Sequence, residues 1–202
     1  MAPDLVWALL GFVVVTLFTP GPNNTMLMTS GLNFGFRRGL PHLWGVSLGF
    51  AVMVLAVGLG LGTVFQLYPA LYTVLKYVGA AYLLYLAWQI ATAGPMEEGG
   101  PERSRPITFL QGAAFQWVNP KGWVMAVGAI STYAAVAAFP SNVLMIAGLF
   151  GSLGILSSAT WLGFGTGLKR LLKSPLAVRI VNVGMALLLV ASLWPILADA
   201  WK

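Results

Sequence analysis

The residues that could do chemistry in this chain gather at two places. The first is "FTPGPNNTM", Phe18 to Met26, where Pro20, Gly21 and Pro22 lead into Asn23 and Asn24. The second is "FQWVNPKGW", Phe115 to Trp123, which holds Asn119, Pro120 and Lys121. An ammonium is a compact charge with three donors, and each side-chain amide adds donors and an acceptor. Together they suit a carboxylate or a zwitterion. Other chemistries find little material. There are no cysteines, so disulfides and thiolate metal sites are excluded. The one histidine, His42, lies beside a loop, and a membrane-embedded enzyme is disfavoured for lack of clustered acids, a His-rich metal motif or any nucleophile–base set. The five acids lie near the termini (Asp4, Asp199) or in one linker (Glu97, Glu98, Glu102).

The elements that position these groups are apolar. The chain has 202 residues, 58% of them hydrophobic and 8% charged, with a mean hydropathy of +0.84. That composition marks a polytopic α-helical membrane protein, and the absence of period-two alternation argues against a barrel. Six runs read as spans: about 5–30, 42–65, 69–91, 107–135, 142–168 and 178–198. The basic N-terminal region of a cleavable signal peptide is missing, so the first run is read as a retained helix. Arg37 and Arg38 lie in the first loop, Arg103 and Arg105 in the third, and Lys169, Arg170, Lys173 and Arg179 around the fifth. Cytoplasmic loops carry the Lys and Arg excess, so the odd loops are expected in the cytoplasm and both termini outside. The formal charge of +6 is therefore read as orientation in the bilayer, not as nucleic-acid binding.

The two halves look related. "SLGF" at Ser47–Phe50 returns as "SLGI" at Ser152–Ile155, and "LGLGT" at Leu59–Thr63 returns as "LGFGT" at Leu162–Thr166. With three spans per half, the second copy enters the membrane upside down, the inverted-repeat plan of many transporters. The expected fold is all-α, six transmembrane helices in two inverted three-helix repeats, with helices one and four broken. As one transmembrane domain, it divides into a first repeat over 1–91, a cytoplasmic linker over 92–106 and a second repeat over 107–202.

The prolines are costly where they stand. Proline inside a helix removes a hydrogen bond and clashes with the preceding turn, at about 3 kcal/mol. At 1.5 Å per residue, Pro20 and Pro120 both fall near the middle of their spans. Unpaired backbone at that depth is tolerated where protein buries it or where it lines a wet cavity. Paired breaks in corresponding spans point to a transporter binding site, whereas a single proline there is more often a packing kink. An ionisable group within a span is a functional-site hypothesis by default, and Lys121 sits beside the second break. Asn23, Asn24 and Asn119 could bind solute or cap the broken ends. Lys76 and Tyr82 are further candidates for cavity lining or coupling. Snorkelling is the commoner role for a lysine near a span end, and packing the commoner one for such a tyrosine. The glycines crowding spans two and five read as close helix packing.

"TPGPN" at Thr19–Asn23, followed by "GLNFGFRRGL" at Gly31–Leu40, resembles the N-terminal signature of the LysE/RhtB superfamily of bacterial amino-acid exporters. "NPK" at Asn119–Lys121 and the segment from Lys76 through "GAAYLLYLA" resemble its later segments. The resemblance covers nearly the whole chain. It implies an inner-membrane, six-helix exporter driven by the proton-motive force, without a cofactor, moving small amino acids outward. The neutral, homoserine/threonine branch is the most similar, and a homodimer is implied by the resemblance alone. The short loop after span three departs from the family's pattern. Metal efflux, known in the wider group, lacks thiolate or imidazole ligands here. The span interiors hold no acid, so proton coupling is expected to fall to another group, with Lys121 first in line. A channel or carrier for another small solute or ion is the alternative reading, weakened by the few polar residues available to line a path.

Overall fold

The computed structural model describes residues 3–61, 63, 67–93, 105–172 and 174–194. The described residues are helical and contain no strand. The helices are α1 (Pro3–Phe18), α2 (Pro22–Ala56), a π-helical turn (Val57–Leu61), α3 (Pro69–Thr92), α4 (Phe109–Val118), α5 (Pro120–Thr132), a 3₁₀ turn (Ala134–Val136), α6 (Ser141–Leu171) and α7 (Pro175–Ala191). Proline opens α2, α3, α5 and α7. Its fixed φ suits the first helical turn, where its missing N–H would have no partner in any case. Thr108 and Gln111 form a capping box at the start of α4.

α2 is a hairpin. Gly35 has φ 80° and ψ 172°, a left-handed φ that glycine adopts without a Cβ penalty. Ser30 Oγ lies 2.9 Å from His42 Nδ1, twelve residues on, where a straight helix would hold them about 18 Å apart. The sequence places a loop between Ser30 and His42. In the structure both arms, 22–34 and 36–56, stay helical up to a one-residue turn, so the loop is tighter than expected.

α6 packs along this hairpin. A Cβ at Gly31 would run into the Leu162 carbonyl, and one at Gly165 into the Met28 carbonyl. Small residues there let the backbones touch, a device of membrane helix pairs. The two "LG.GT" copies differ in conformation. Gly60 in the first has φ 112° within the π-helical turn, whereas Leu162–Thr166 is ordinary helix; Gly62 lies outside the described residues.

One end of the bundle is basic. Arg37 and Arg38 are exposed just past Gly35. Lys169 Nζ lies 3.4 Å from the Asn33 carbonyl. Asn33 and Asn182, both fully buried, exchange hydrogen bonds of 2.9 Å, and Asn182 also donates to the Ala93 carbonyl at 2.8 Å. These contacts join the hairpin tip, the end of α3 and α7. At the opposite end Tyr133 donates to the Ala8 carbonyl, and the Phe12 ring meets the Tyr133 ring at a tilt of 52°, with centroids 5.6 Å apart.

The surface is apolar and the interior partly polar. Trp7, Leu110, Val124, Leu171 and Trp194 are more than two-thirds exposed, while Asn33, His42, Gln116 and Asn182 are fully buried. Such a large exposed apolar surface suits a hydrocarbon surrounding rather than water. The stretches Pro22–Leu61 and Ser141–Leu171 are long and apolar enough to cross a bilayer.

Candidate solute site at the helix breaks

α1 stops at Phe18 and α2 starts at Pro22. Gly21 between them is fully extended (φ 178°, ψ −178°). Prolines at 20 and 22 supply no N–H and the chain leaves the helix at Phe18, so the carbonyls at and just past the end of α1, Leu17 and Thr19 among them, lack helical donors. Side chains replace them. Asn24 Nδ2 donates to both the Leu17 and Thr19 carbonyls at 2.9 Å. Ser157 of α6 donates to Leu17 at 2.9 Å, and Lys121 of α5 donates its Nζ to Thr19 at 2.6 Å. The Leu17 and Thr19 carbonyls thus have two donors each. Gly21 is small because the lysine stem lies on it: a Cβ there would sit 2.9 Å from Lys121 Cδ.

The second break falls between α4 and α5. Asn119, nearly fully buried, caps α5 by accepting from the Lys121 N–H at 3.2 Å. Trp123 Nε1 reaches back over the break to the Trp117 carbonyl at 2.8 Å. The two breaks bind each other directly. Asn23 Nδ2 donates to Gln116 Oε1 at 2.8 Å, and Gln116 Nε2 donates to Asn23 Oδ1 at 3.0 Å and to the Gly112 carbonyl at 2.9 Å.

Between them lies a cavity of about 30 Å³, room for a water or two. Its polar wall includes Asn23, Asn24, Asn119, Lys121, Ser47, Ser157 and Ser158, and its apolar wall Phe50, Met125 and Phe150. Ser47 donates to Ser158 at 3.1 Å, linking the second hairpin arm to α6. A solute larger than a water or two would fit there only if these helices parted.

The structure thus brings Gly21, Asn23, Asn24, Asn119 and Lys121 together. Pro20, Pro22 and Pro120 create the breaks and stay out of the cavity wall. Asn24 and Asn119 act as caps, while Asn23 is paired with an amide. Tyr82 stands apart: its hydroxyl donates to the Gln111 carbonyl at 3.1 Å, and its ring packs with the core around Leu83 and Phe115. The Lys76 side chain lies outside the described residues. Sequence reasoning missed Gln116 and the three serines. Gln116 was legible as a lone amide in the apolar turn before Asn119; the serines look like any small residue in a packed helix.

The family model described as LysE type translocator matches residues 14–192, a stretch that contains both breaks. The chain belongs to the LysE family of translocators. Its work is therefore transport and not enzyme catalysis. Among similar proteins are those of Escherichia coli strain K12 and Shigella sonnei, each named cysteine/O-acetylserine efflux protein. Each is 35% identical over 192 residues, covering 94% of this chain and 96% of that protein. Those relatives are named for cysteine and O-acetylserine, so they do not bear out the homoserine/threonine branch that the sequence resembles. No solved structure matches this LysE-family chain.

Proposed function

We propose that this protein exports small neutral amino acids across the bacterial inner membrane, binding them at mid-membrane between the two broken helices. The observation that carries the reading is the meeting of the breaks, where Lys121 of one helix caps the Thr19 carbonyl of the other beside Asn23, Asn24 and Asn119. A carboxylate can take the Lys121 ammonium, and the amides can serve the ammonium of the solute. The relatives' names make cysteine and O-acetylserine the first solutes to test. Homoserine and threonine share their short, uncharged side chains.

The proposed architecture is six membrane passes in two inverted repeats, 1–91 and 107–202, joined by a cytoplasmic linker. Support comes from the element order. Each half runs as a helix broken at proline, a long helix beginning past a sharp turn, and a third helix opened by proline. Residues 22–34 lead from the first break to the basic end, whereas α4 leads from the basic end to the second break, as opposed insertion requires. The basic end is assigned to the cytoplasm by its Arg and Lys residues, leaving the termini periplasmic. The proton-motive force is the proposed driver, with Lys121 as the charge at the site that responds to it.

The test is efflux from proteoliposomes preloaded with labelled amino acids under an imposed pH gradient, for the wild type, Asn23→Ala and Lys121→Met. Saturable, gradient-driven efflux of short neutral amino acids, lost in both variants, is expected. Efflux of none of them from folded, inserted protein overturns the proposal.

A further inference from the structure

A second, larger cavity of about 290 Å³ opens at the basic end, between the first hairpin arm, the last turns of α3 and the segment before α4. Among the described residues its wall carries one cation, Arg105, and no acid. Neutral oxygens face it as well. The Thr29 hydroxyl spends its proton on the Thr25 carbonyl at 2.9 Å, which leaves its lone pairs as acceptors. Gln89 donates to the Tyr85 hydroxyl at 2.6 Å, leaving its amide oxygen as an acceptor. Ser30 lines the floor, held from behind by His42.

We infer that this cavity is a second solute site, a vestibule that takes a small neutral amino acid by its carboxylate at Arg105 and its ammonium at neutral oxygens. The inference rests on the exporter reading above and adds a place where solute waits before it reaches the breaks. Guanidinium matches a carboxylate in a two-pronged geometry, and the neutral oxygens of the wall suit an ammonium beside it. Among the described residues Arg37, Arg38 and Lys169 add positive charge at the same end, which favours carboxylates there.

The two cavities share one helix. Asn23 lines the inner cavity, and Met26, Thr29 and Ser30 line the outer one. Residues 23, 26 and 30 fall on one helical face, and 24 to 29 span about 8 Å along the axis. The fully buried Met26, which lines the outer cavity, packs in one apolar cluster with Phe115, the chain neighbour of Gln116. A solute released by Arg105 thus meets next the amide pair that joins the breaks.

The absence of native cysteine makes the test clean. Thr92, exposed at the cavity rim, is replaced in Thr92→Cys, and its rate of reaction with a maleimide is followed in liposomes with O-acetylserine or ethanolamine. The expected result is several-fold slower labelling with O-acetylserine and no slowing with ethanolamine, which lacks the carboxylate. Adding Arg105→Gln removes the protection, and Arg105→Gln alone raises the KM for efflux about tenfold with kcat unchanged. Unchanged labelling at O-acetylserine concentrations that saturate efflux by the same Thr92→Cys protein overturns the vestibule and leaves the exporter standing. If no amino acid is exported at all, the exporter reading falls, while carboxylate-dependent protection still supports the cavity as a site.

Discussion

Replacing Lys121 by methionine separates a cap from a binding group. The ammonium donates to the Thr19 carbonyl at 2.6 Å, and a charge-assisted hydrogen bond is worth about 1.5–3 kcal/mol. That loss is not the net cost. The Thr19 carbonyl keeps its bond from Asn24 at 2.9 Å, so no buried acceptor is orphaned. Methionine retains most of the apolar stem over Gly21, and a half-buried charge is removed. The expected net destabilisation is about 1 kcal/mol, which for a chain of this size lowers the melting temperature by about 2–4 °C. Transport should fall far more, by about tenfold or beyond, if the ammonium meets the solute carboxylate. Melting in detergent and counterflow in proteoliposomes read the two quantities separately. A fall in melting temperature above about 10 °C, with transport reduced only in proportion to folded protein, refutes the reasoning and makes Lys121 a structural cap. Adding Asn24→Ala then orphans Thr19, so the double variant should lose more stability than the two singles together.

Three further outcomes test the scaffold around the site. Asn182→Ala leaves the Asn33 amide oxygen and the Ala93 carbonyl buried without their donor, at about 1–3 kcal/mol each; melting should fall by on the order of 10 °C, and a change below about 2 °C would contradict the buried pair. Gly165→Ala drives a methyl group into the Met28 carbonyl and should cost about 1–3 kcal/mol or more, whereas Gly167→Ala, which meets nothing within 4 Å, should be neutral or stabilising by up to about 1 kcal/mol; detergent melting curves of the two variants compare them. Thr108→Ala removes the capping box that starts α4 and should cost about 1 kcal/mol by the same measurement; an unchanged melting temperature would mean that packing alone fixes the helix carrying Gln116.

The apolar helices and the two breaks could be read from the sequence because each rests on a local rule: apolar length and proline chemistry. What escaped reading depends on partners far along the chain. Nothing local to Gln116 names Asn23, 93 residues away. Nothing in "GLNFG" tells that Asn33 binds Asn182, 149 residues on. The short motif repeats misled in detail for the same reason. Ser47 is buried against Ser158, while Ser152, its counterpart in "SLGI", is exposed and bonds back to Gly148. Gly35 was visible as one glycine among many, and only the left-handed φ identifies it as the turn of the hairpin.

At the proposed site, the bonds between the breaks limit which solutes can open them. Lys121 can turn from Thr19 to a solute carboxylate without orphaning that carbonyl, because Asn24 still serves it. The Asn23–Gln116 pair is different: parting it frees a donor and an acceptor on each amide at once. An unpaired buried polar group costs about 1–3 kcal/mol, so a solute that satisfies only one kind leaves the other exposed to that cost. A zwitterion brings an ammonium for the amide oxygens and a carboxylate for the amide N–H groups and Lys121. A simple carboxylic acid or amine of the same size brings one. Counterflow of labelled O-acetylserine should therefore be inhibited by unlabelled neutral amino acids at least about tenfold more strongly than by acetate, propionate or ethylamine. The difference should shrink in Gln116→Leu, where Asn23 no longer has an amide partner to give up. Equal inhibition by the acid and the amino acid in the wild type would mean that Lys121 alone recognises the solute and that the amide pair is a structural joint between the halves.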